Sequence, residues 1–263
     1  MRRWFLRLGL VAIVLAVALA ALTALYVERY LDAPLPIAED TLIEIPPGRG
    51  LSGIARGLAA DGVLSQPQIW SLYGRYTGQA ARVQAGEYLV PTGETPRGLL
   101  ARLVAGKVYT RSVTLVEGWT FAQALDHLRA QTALRIETAD LDEDALSERL
   151  WPNDEDLPGG RLEGWLFPDT YLYTRSDSDE DILARGVARM REELAAAWAE
   201  RAPDLPLESP YEALILASII EKETALDSER TQVAGVMVRR LRRGMRLQTD
   251  PTVIYGLGDA YDG

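Results

Sequence analysis

The chain has 263 residues, 48% of them hydrophobic and 25% charged, which is enough to build one large domain or two smaller ones without disulfides. It has no cysteine and a single histidine, His127, so thiol chemistry, cysteine-ligated metals and multi-histidine metal sites are excluded. The net charge of −10 argues against nucleic acid as a partner, because an acidic surface repels the phosphate backbone. Catalysis by this chain would therefore use carboxylates, hydroxyls, amides, lysine or arginine.

The N-terminus predicts a membrane anchor. Residues 8–27 contain no charged side chain, and as a helix they would be about 30 Å long, which matches the hydrocarbon core of a bilayer. Three arginines lie in the preceding tail, residues 1–7, so the positive-inside rule places this tail in the cytoplasm and the rest of the chain across the membrane. A cleaved signal peptide is the alternative, but the apolar run is longer than a usual signal core. Residues 28–40 are interpreted as a linker.

Three segments after the linker share one pattern of strand, glycine turn and amphipathic helix. In each, a short apolar strand ends in a glycine, and small or apolar residues follow six, seven and ten positions later, on one face of a helix. The three glycines are Gly48, Gly93 and Gly118. The copies are unevenly spaced, so the pattern does not predict a repeat solenoid.

Residues 41–110 predict a small β-α-α-β module. The first strand is centred on Ile43, a second helix is expected over residues 67–76, and a returning strand over residues 87–90. This layout resembles the LysM carbohydrate-binding module, which binds chitin-like and peptidoglycan glycans. A small structural domain without a ligand is the alternative.

Two segments further on are rich in turn formers. Residues 138–160 are acidic, which predicts a loop or a domain junction. Residues 162–173 combine aromatic rings with Glu163 and Asp169, so they could line a saccharide groove or form a core strand with a proline bend. An amphipathic helix is expected over residues 179–201, with its apolar stripe in a packing role.

Glu221 is the candidate catalytic residue. It follows the apolar run Leu214–Ile220, in a helix expected to begin at Pro210 behind the capping residue Ser209. A helix that is apolar all round is a buried helix, and a carboxyl at its last buried turn can keep its proton near neutrality, as cleavage of a glycosidic bond requires. The alternative is an ordinary helix that becomes charged where it reaches the surface.

The last two segments supply polar candidates. Residues 228–243 predict a helix with Val233, Val236, Met237 and Leu241 inward and four arginines near its C-terminus, which suits the helix dipole; binding of acidic peptide stems is the alternative. The following motif offers neutral or acidic groups that either bind sugar or only support the turn: Gln248, Asp250, Thr252 and Tyr255. Asp250, before Pro251, is expected to cap a short helix or turn.

Three blocks of the sequence resemble the endolytic murein transglycosylase family, also called YceG-like. The blocks are residues 163–171, 217–224 and 246–256. The resemblance implies a single-pass protein of the bacterial inner membrane with a LysM-like module. It also implies cleavage within peptidoglycan glycan strands, between N-acetylmuramic acid and N-acetylglucosamine, giving 1,6-anhydro ends and terminating glycan elongation.

The resemblance assigns the catalytic role, and the chemistry of the side chains supplies the other candidates. The family's catalytic glutamate corresponds to Glu221, and the substrate-contacting candidates are Gln248, Asp250, Thr252, Tyr255, Glu163, Asp169 and Tyr171. No cofactor or metal is expected, and the partners are glycan strands, the inner membrane through residues 8–27 and peptidoglycan synthases. A hydrolytic muramidase and a non-catalytic, glycan-binding scaffold for the synthases are the alternatives.

The predicted fold class is α+β: an N-terminal transmembrane helix, the module over residues 41–110 and a helix-rich catalytic domain over residues 111–263. Family members continue past the point where this sequence ends, in the turn at residues 261–263. The resemblance therefore predicts that the catalytic domain is incomplete at its C-terminus.

Overall fold

A computed structural model of the protein describes residues 2–152 and 155–258. The chain divides into two compact units, Met1–Thr110 and Arg111–Gly263. Both combine helices with a two-stranded antiparallel sheet, so the mixed, helix-rich α+β class is confirmed. The predicted turn at residues 261–263 and the middle of the predicted loop, residues 153–154, lie outside the described residues.

The first unit begins with a long helix, α1 (Arg2–Asp32). Its segment Gly9–Asp32 has a mean hydropathy of 2.7 and, among the described residues, is the one helix long and apolar enough to cross a membrane. The helix also includes residues 28–32, which the sequence assigned to a linker. They are folded against the unit because Leu31 is fully buried and Arg97 forms ion pairs with Glu28 and Asp32, at 2.5 and 2.8 Å.

The rest of the first unit has the predicted strand-helix-helix-strand order. Strand β1 (Thr41–Ile45) pairs antiparallel with β2 (Gly86–Val90), with Thr41 opposite Val90. The helices pack on this sheet around Trp70, whose indole nitrogen donates to the Pro96 carbonyl at 2.7 Å. The elements are β1 (Thr41–Ile45), α2 (Leu51–Ala60), α3 (Pro67–Tyr76), β2 (Gly86–Val90) and α4 (Pro96–Val104).

The second unit is built around a sheet of β3 (Arg111–Thr114) and β4 (Thr170–Tyr173), in which Val113 lies opposite Tyr171. Its core contains the apolar faces of the sheet and of α5 and α7, including Leu128, Ile182 and Leu183. The helices are α5 (Phe121–Arg129), α6 (Glu143–Leu150), α7 (Asp179–Ala199), α8 (Pro210–Glu223), α9 (Asp227–Arg242) and α10 (Asp250–Leu257).

The three predicted strand-turn-helix segments are confirmed. The turn glycines Gly48, Gly93 and Gly118 have φ values of 74°, 84° and 75°, a conformation that glycine adopts without the steric cost of a Cβ. Each turn is followed by a helix, α2, α4 and α5, whose buried residues are those expected from the spacing; Leu125 in α5 is only partly buried.

The acidic segment over residues 138–160 is neither a plain loop nor a domain junction. It contains α6, whose Leu146 and Leu150 are buried in the second unit's core together with Trp151. The sequence concealed this helix because only two apolar residues, four positions apart, face the core and the rest of the helix is polar.

The aromatic run over residues 162–173 contributes mainly to the core. Leu162, Trp165, Tyr171 and Tyr173 are buried, and the run ends in β4. The core-strand interpretation therefore accounts for most of these side chains.

Candidate active site

Helices α8 and α9 form a hairpin that positions Glu221. Helix α8 begins at Pro210 as predicted, with the Ser209 hydroxyl accepting a hydrogen bond from the Glu212 amide. The turn between the helices is held by Thr224, which is buried. Its hydroxyl donates to the Glu229 carboxylate at 2.9 Å and accepts from the Leu226 amide at 3.1 Å. These bonds set the register in which α9 passes the end of α8.

Glu221 forms an ion pair across this hairpin. A terminal nitrogen of Arg230 lies 3.1 Å from Oε2 of Glu221 and 3.4 Å from Oε1. The other terminal nitrogen lies 3.1 Å from Oδ1 of Asp227. The Glu221 side chain is 30% exposed, so substrate can reach the carboxylate while its charge is compensated by the guanidinium.

Helix α8 is not buried all round, and that expectation is wrong. Within the described part of the chain, Leu216 is its one fully buried residue, and Ile215 is 43% exposed. Its neighbours, α7, α9 and α10, cover only part of the circumference. Glu221 is therefore partly shielded by a polar hairpin and not by an apolar core. The next two residues of α8, Lys222 and Glu223, are both exposed.

A backbone turn lies against the end of α8. Gly118 has a φ of 75°, and a Cβ placed on it would lie 3.5 Å from Nζ of Lys222 and 3.8 Å from Cγ of Glu221. A side chain at this position of the turn between β3 and α5 would therefore be in van der Waals contact with the candidate catalytic side chain. The glycine leaves the space of this Cβ unfilled.

Glu163 is held at the N-terminus of α5. Its Oε2 accepts a hydrogen bond from the Phe121 amide at 2.8 Å, and this amide is one of those that a helix leaves unpaired at its start. Burial raises the pKa of Glu163, the bond from Phe121 opposes that rise, the charge of Glu143 adds to it and the charge of Lys222 reduces it. Glu163 and Lys222 therefore belong to one electrostatic environment.

Tyr255 brings α10 into the same environment. Its ring is 67% exposed, yet its pKa is raised, first by partial burial of the phenol group and then by the charge of Glu163 and by Tyr211. Glu163 is thus within electrostatic range of both Lys222 and Tyr255, which come from two other parts of the sequence.

The profile of the YceG-like family matches residues 43–263, well over half of the chain. The chain belongs to the YceG-like family.

Curated relatives of this YceG-like protein carry one functional name. Two proteins named endolytic murein transglycosylase, from Bacillus subtilis and Streptococcus pneumoniae, are each 29% identical to it, over 84% and 88% of this chain. The chain spans 64% of the length of the first relative and 46% of the second. A crystal structure of a YceG-like protein from Listeria monocytogenes is 28% identical, with 86% of this chain and 78% of that one covered and a TM-score of 0.45.

The remaining residues of the Gln-Thr-Asp-Pro motif open α10. Gln248 has a φ of 49° and accepts a hydrogen bond from Arg240 at 3.4 Å. The N-cap is Thr249, and Asp250, expected to be the cap, is instead the exposed first residue of the helix. The Thr252 hydroxyl donates to the Thr249 carbonyl at 2.7 Å, so it supports the turn in this structure.

Asp169 and Tyr171 belong to the sheet. Asp169 is exposed, and its carboxylate accepts from the Thr170 amide at 2.6 Å. The Tyr171 hydroxyl is directed inward and donates to the Phe167 carbonyl at 2.6 Å, and burial together with the charge of Asp169 raises its pKa to about 12. Both contacts serve the fold around β4.

Arg230 and Gly118 were not among the site residues predicted from the sequence. Arg230 follows Glu221 by nine residues, a separation that does not bring two side chains together on a single helix. They come into contact only because the chain reverses at Thr224. In the inward face predicted for α9, only Met237 is buried among the described residues, and Val236 is 43% exposed. No group of three or more metal-ligating side chains occurs in residues 2–152 and 155–258.

Proposed function

We propose that this YceG-like protein is a membrane-anchored endolytic murein transglycosylase with Glu221 as its acid and base. The observation that carries the proposal is the position of Glu221: a partly exposed carboxylate at the end of α8, beside the open Gly118 turn. The name shared by the relatives supplies the substrate class, peptidoglycan.

In the first step of the proposed reaction, Glu221 donates a proton to the oxygen that links N-acetylmuramic acid to N-acetylglucosamine. The bond from the anomeric carbon to that oxygen breaks, and the substrate's own N-acetyl group stabilises the positive charge. In the second step the Glu221 carboxylate takes the proton of the muramyl 6-hydroxyl, whose oxygen attacks the anomeric carbon and closes the 1,6-anhydro ring. One carboxylate serves both steps, and no water is consumed.

The candidate sugar-orienting residues are Gln248, Asp250, Thr252 and Tyr255. Tyr255 has the most direct support, because its exposed ring offers a face for stacking on a sugar. The charge of Glu163 also contributes to the raised pKa of its hydroxyl. We assign Glu163 and Asp169 to the wall of the saccharide groove. Tyr171, which lies in the core, is assigned to supporting that wall.

A hydrolytic muramidase is the second candidate, and one observation favours it. Burial raises the pKa of Glu163, and this carboxyl is within electrostatic range of Lys222, the residue that follows Glu221. In that reaction one carboxyl protonates the leaving oxygen and the other activates a water molecule.

The deciding experiment is product analysis by mass spectrometry after the full chain has digested purified sacculi. We expect 1,6-anhydro ends; reducing ends heavier by one water would establish hydrolysis instead. Glu221→Gln should reduce cleavage by at least about a thousandfold, because Gln cannot donate or accept the proton. The matched control is Glu223→Gln, which removes an exposed carboxylate two residues further along α8 and should leave the rate unchanged. Normal cleavage by the Glu221→Gln variant would refute the assignment.

We also propose how the chain is organised, with support from its division after Thr110 and from its apolar N-terminal helix. We assign residues 8–27 to a single inner-membrane span with a cytoplasmic tail at residues 1–7, and residues 111–263 to the catalytic domain. Because the chain has no cysteine, a single cysteine introduced in either flank and labelled with an impermeant reagent reports its side of the membrane. Labelling of the tail in intact spheroplasts would overturn this topology.

We further propose that residues 41–110 form a LysM-like module that binds glycan strands. Support comes from the β-α-α-β order and from a groove of about 220 Å³ beside the end of β1, lined in part by Glu44, Arg49 and Asp61. The Glu221→Gln protein should cosediment with sacculi, and adding Arg49→Glu should weaken that binding. Unchanged cosedimentation would remove the groove from the glycan-binding surface. Synthases are the proposed protein partners of the whole chain.

A further inference from the structure

We propose that one face of α3, defined by Leu72 and Tyr76, lies in the headgroup layer of the membrane from which α1 emerges. The partner of this face is therefore a lipid surface. The inference rests on the proposed membrane span at residues 8–27. It goes beyond that span because it assigns a second membrane contact to the folded part of the first unit.

Aromatic side chains mark the two ends of the proposed span. Trp4 and Tyr26 are 66% and 55% exposed, and both belong to α1. The helix between them is about 33 Å long, close to the thickness of the hydrocarbon core. Tryptophan and tyrosine concentrate at both membrane–water interfaces, so Tyr26 marks the interface on the side of the folded unit. Glu28 lies about 3 Å beyond this level along the helix axis.

The end of α1 is fixed to the rest of the first unit just beyond this level. Arg97, in the first turn of α4, forms ion pairs with Glu28 and Asp32 at 2.5 and 2.8 Å. Its other terminal nitrogen donates to the Tyr73 hydroxyl at 2.8 Å, and its guanidinium lies 5.1 Å from the centre of that ring. Leu31, between the two acidic residues, is fully buried. Because Tyr73 belongs to α3, one arginine holds α3 close to the end of the span.

Helix α3 approaches the interface towards its C-terminus. At its start, the backbone of Gln66 lies beside the Tyr30 hydroxyl. Near its end, Tyr73 is joined through Arg97 to Glu28, which is closer to the span than Tyr30. The headgroup layer extends about 5–7 Å beyond the hydrocarbon core, and Glu28 lies within that depth. The last turns of α3 are therefore held at the level of the lipid headgroups.

The exposed face of α3 has the chemistry of an interfacial surface. Leu72 and Tyr76 are 66% and 89% exposed, and a separation of four residues places them on the same side of the helix. Arg75 lies between them in sequence, is also exposed and donates to the Ser52 hydroxyl. In a chain of net charge −10, α3 contains no acidic residue. An apolar pair beside a cation suits the boundary between acyl chains and anionic phosphates.

Leu42 provides a matched control surface in the same unit. It is 46% exposed, and it precedes Ile43, which is buried among the helices. Because side chains alternate along a strand, Leu42 lies on the face of the β1–β2 sheet that is turned away from α3. An exposed leucine alone therefore does not predict a lipid contact at this position.

The test is quenching of a fluorophore by lipids that carry a nitroxide near the headgroup. The full chain is reconstituted into vesicles of phosphatidylethanolamine and phosphatidylglycerol. Because the chain has no cysteine, Thr77→Cys and Leu42→Cys each carry one label, the first directly after α3 and the second on the control surface. The label at position 77 should be quenched and the label at position 42 should not. Equal signals at the two positions would overturn the proposal.

Substitutions on the face test the two side chains themselves. Leu72→Ser combined with Tyr76→Ser should abolish quenching of the label at position 77, whereas Leu72→Met combined with Tyr76→Phe keeps an apolar surface and should preserve it. Both positions are exposed, so each double variant should unfold at the same urea concentration as its parent. Undiminished quenching in the serine variant would refute a role for this pair.

A label within the span separates this proposal from the proposed anchor. Ala18→Cys should be quenched by nitroxides placed deep in the acyl chains. Quenching there without quenching at position 77 would refute the α3 contact and leave the anchor intact, and quenching at neither position would refute both. Energy transfer between differently labelled chains at position 77, without quenching by lipid, would identify a second copy as the partner and overturn the proposal. No measurement requires turnover, so the outcome does not depend on the reaction assigned to Glu221.

Discussion

The second unit contains two regions that differ in how their residues are held. Around the β3–β4 sheet, side chains such as Leu183 are fully buried in a continuous apolar core. Along α8–α10, several apolar side chains such as Ile215 are partly exposed, and the turn between α8 and α9 is held by polar contacts such as the Thr224–Glu229 bond. The first region supplies stability, whereas the second presents charged groups that remain accessible. The candidate catalytic carboxylate lies in the second region, where a polymeric substrate can reach it. A carboxylate buried in the first region could not contact such a substrate.

The largest expected effect is on stability and tests this contrast directly. Leu183→Ala should lower the free energy of unfolding of the second unit by about 3 kcal/mol, because it removes a fully buried side chain and leaves a cavity. Ile215→Ala, the matched control on α8, should change it by less than about 1 kcal/mol. Urea unfolding followed by tryptophan fluorescence measures both. Similar losses in the two variants would contradict the division into a packed and an open region.

A smaller effect distinguishes the two glycine turns. Gly118→Val and Gly48→Val both place a branched side chain at a positive φ, so each should cost about 1–2 kcal/mol of stability. Only the valine at position 118 projects towards Glu221 and Lys222, since a Cβ at Gly48 meets nothing within 4 Å. At a temperature where both variants are folded, cleavage should therefore fall about tenfold or more in Gly118→Val alone. Equal rates would mean that the Gly118 turn does not border the site.

The smallest effect concerns pH and stability. Burial raises the pKa of Glu163 in the folded state above its ordinary value of 4.5. A carboxyl with a raised folded pKa contributes its stabilisation fully below pH 4.5 and loses it as the pH rises through the folded value. Glu163→Gln mimics the protonated form and keeps an oxygen for the Phe121 amide. It should match the wild type in acid and be more stable near neutrality.

Thermal unfolding at a series of pH values measures this difference. A stability gain that is the same at every pH would reflect packing and not the titration of Glu163. Greater stability of the wild type near neutrality would show that the Phe121 amide and Lys222 stabilise the Glu163 carboxylate by more than burial destabilises it.

Much of the fold could be predicted from local patterns. The start of α8 at Pro210, the bounds of α3 and the three glycine turns each depend on a few neighbouring residues, since caps, proline and positive-φ glycines act within one turn of the chain. Helix α6 was missed because its polar sequence has two core-facing leucines, and residues 28–32 were misassigned because their burial depends on α4, distant in sequence.

The candidate site was predictable only in part. Glu221 could be selected because a carboxylate directly follows an apolar helix, and that signal lies within one segment. The incomplete burial of Glu221 could not be predicted, because it depends on which helices pack around α8 in the folded protein. The partnership with Arg230 also depends on the reversal at Thr224, which brings together charges from two helices.

The sequence by itself determined the apolar N-terminal helix, most of the other helices and strands and the candidate glutamate, because hydrophobic length, capping and helical periodicity are properties of contiguous residues. Only the tertiary structure decided which groups lie near that glutamate and its neighbour Lys222: Arg230 across the hairpin contacts Glu221, the Gly118 turn lies beside both residues, and Glu163 at the start of α5 is within electrostatic range of Lys222. The physical reason is that electrostatic environment depends on distance in space, and these groups are separated along the chain by up to about a hundred residues.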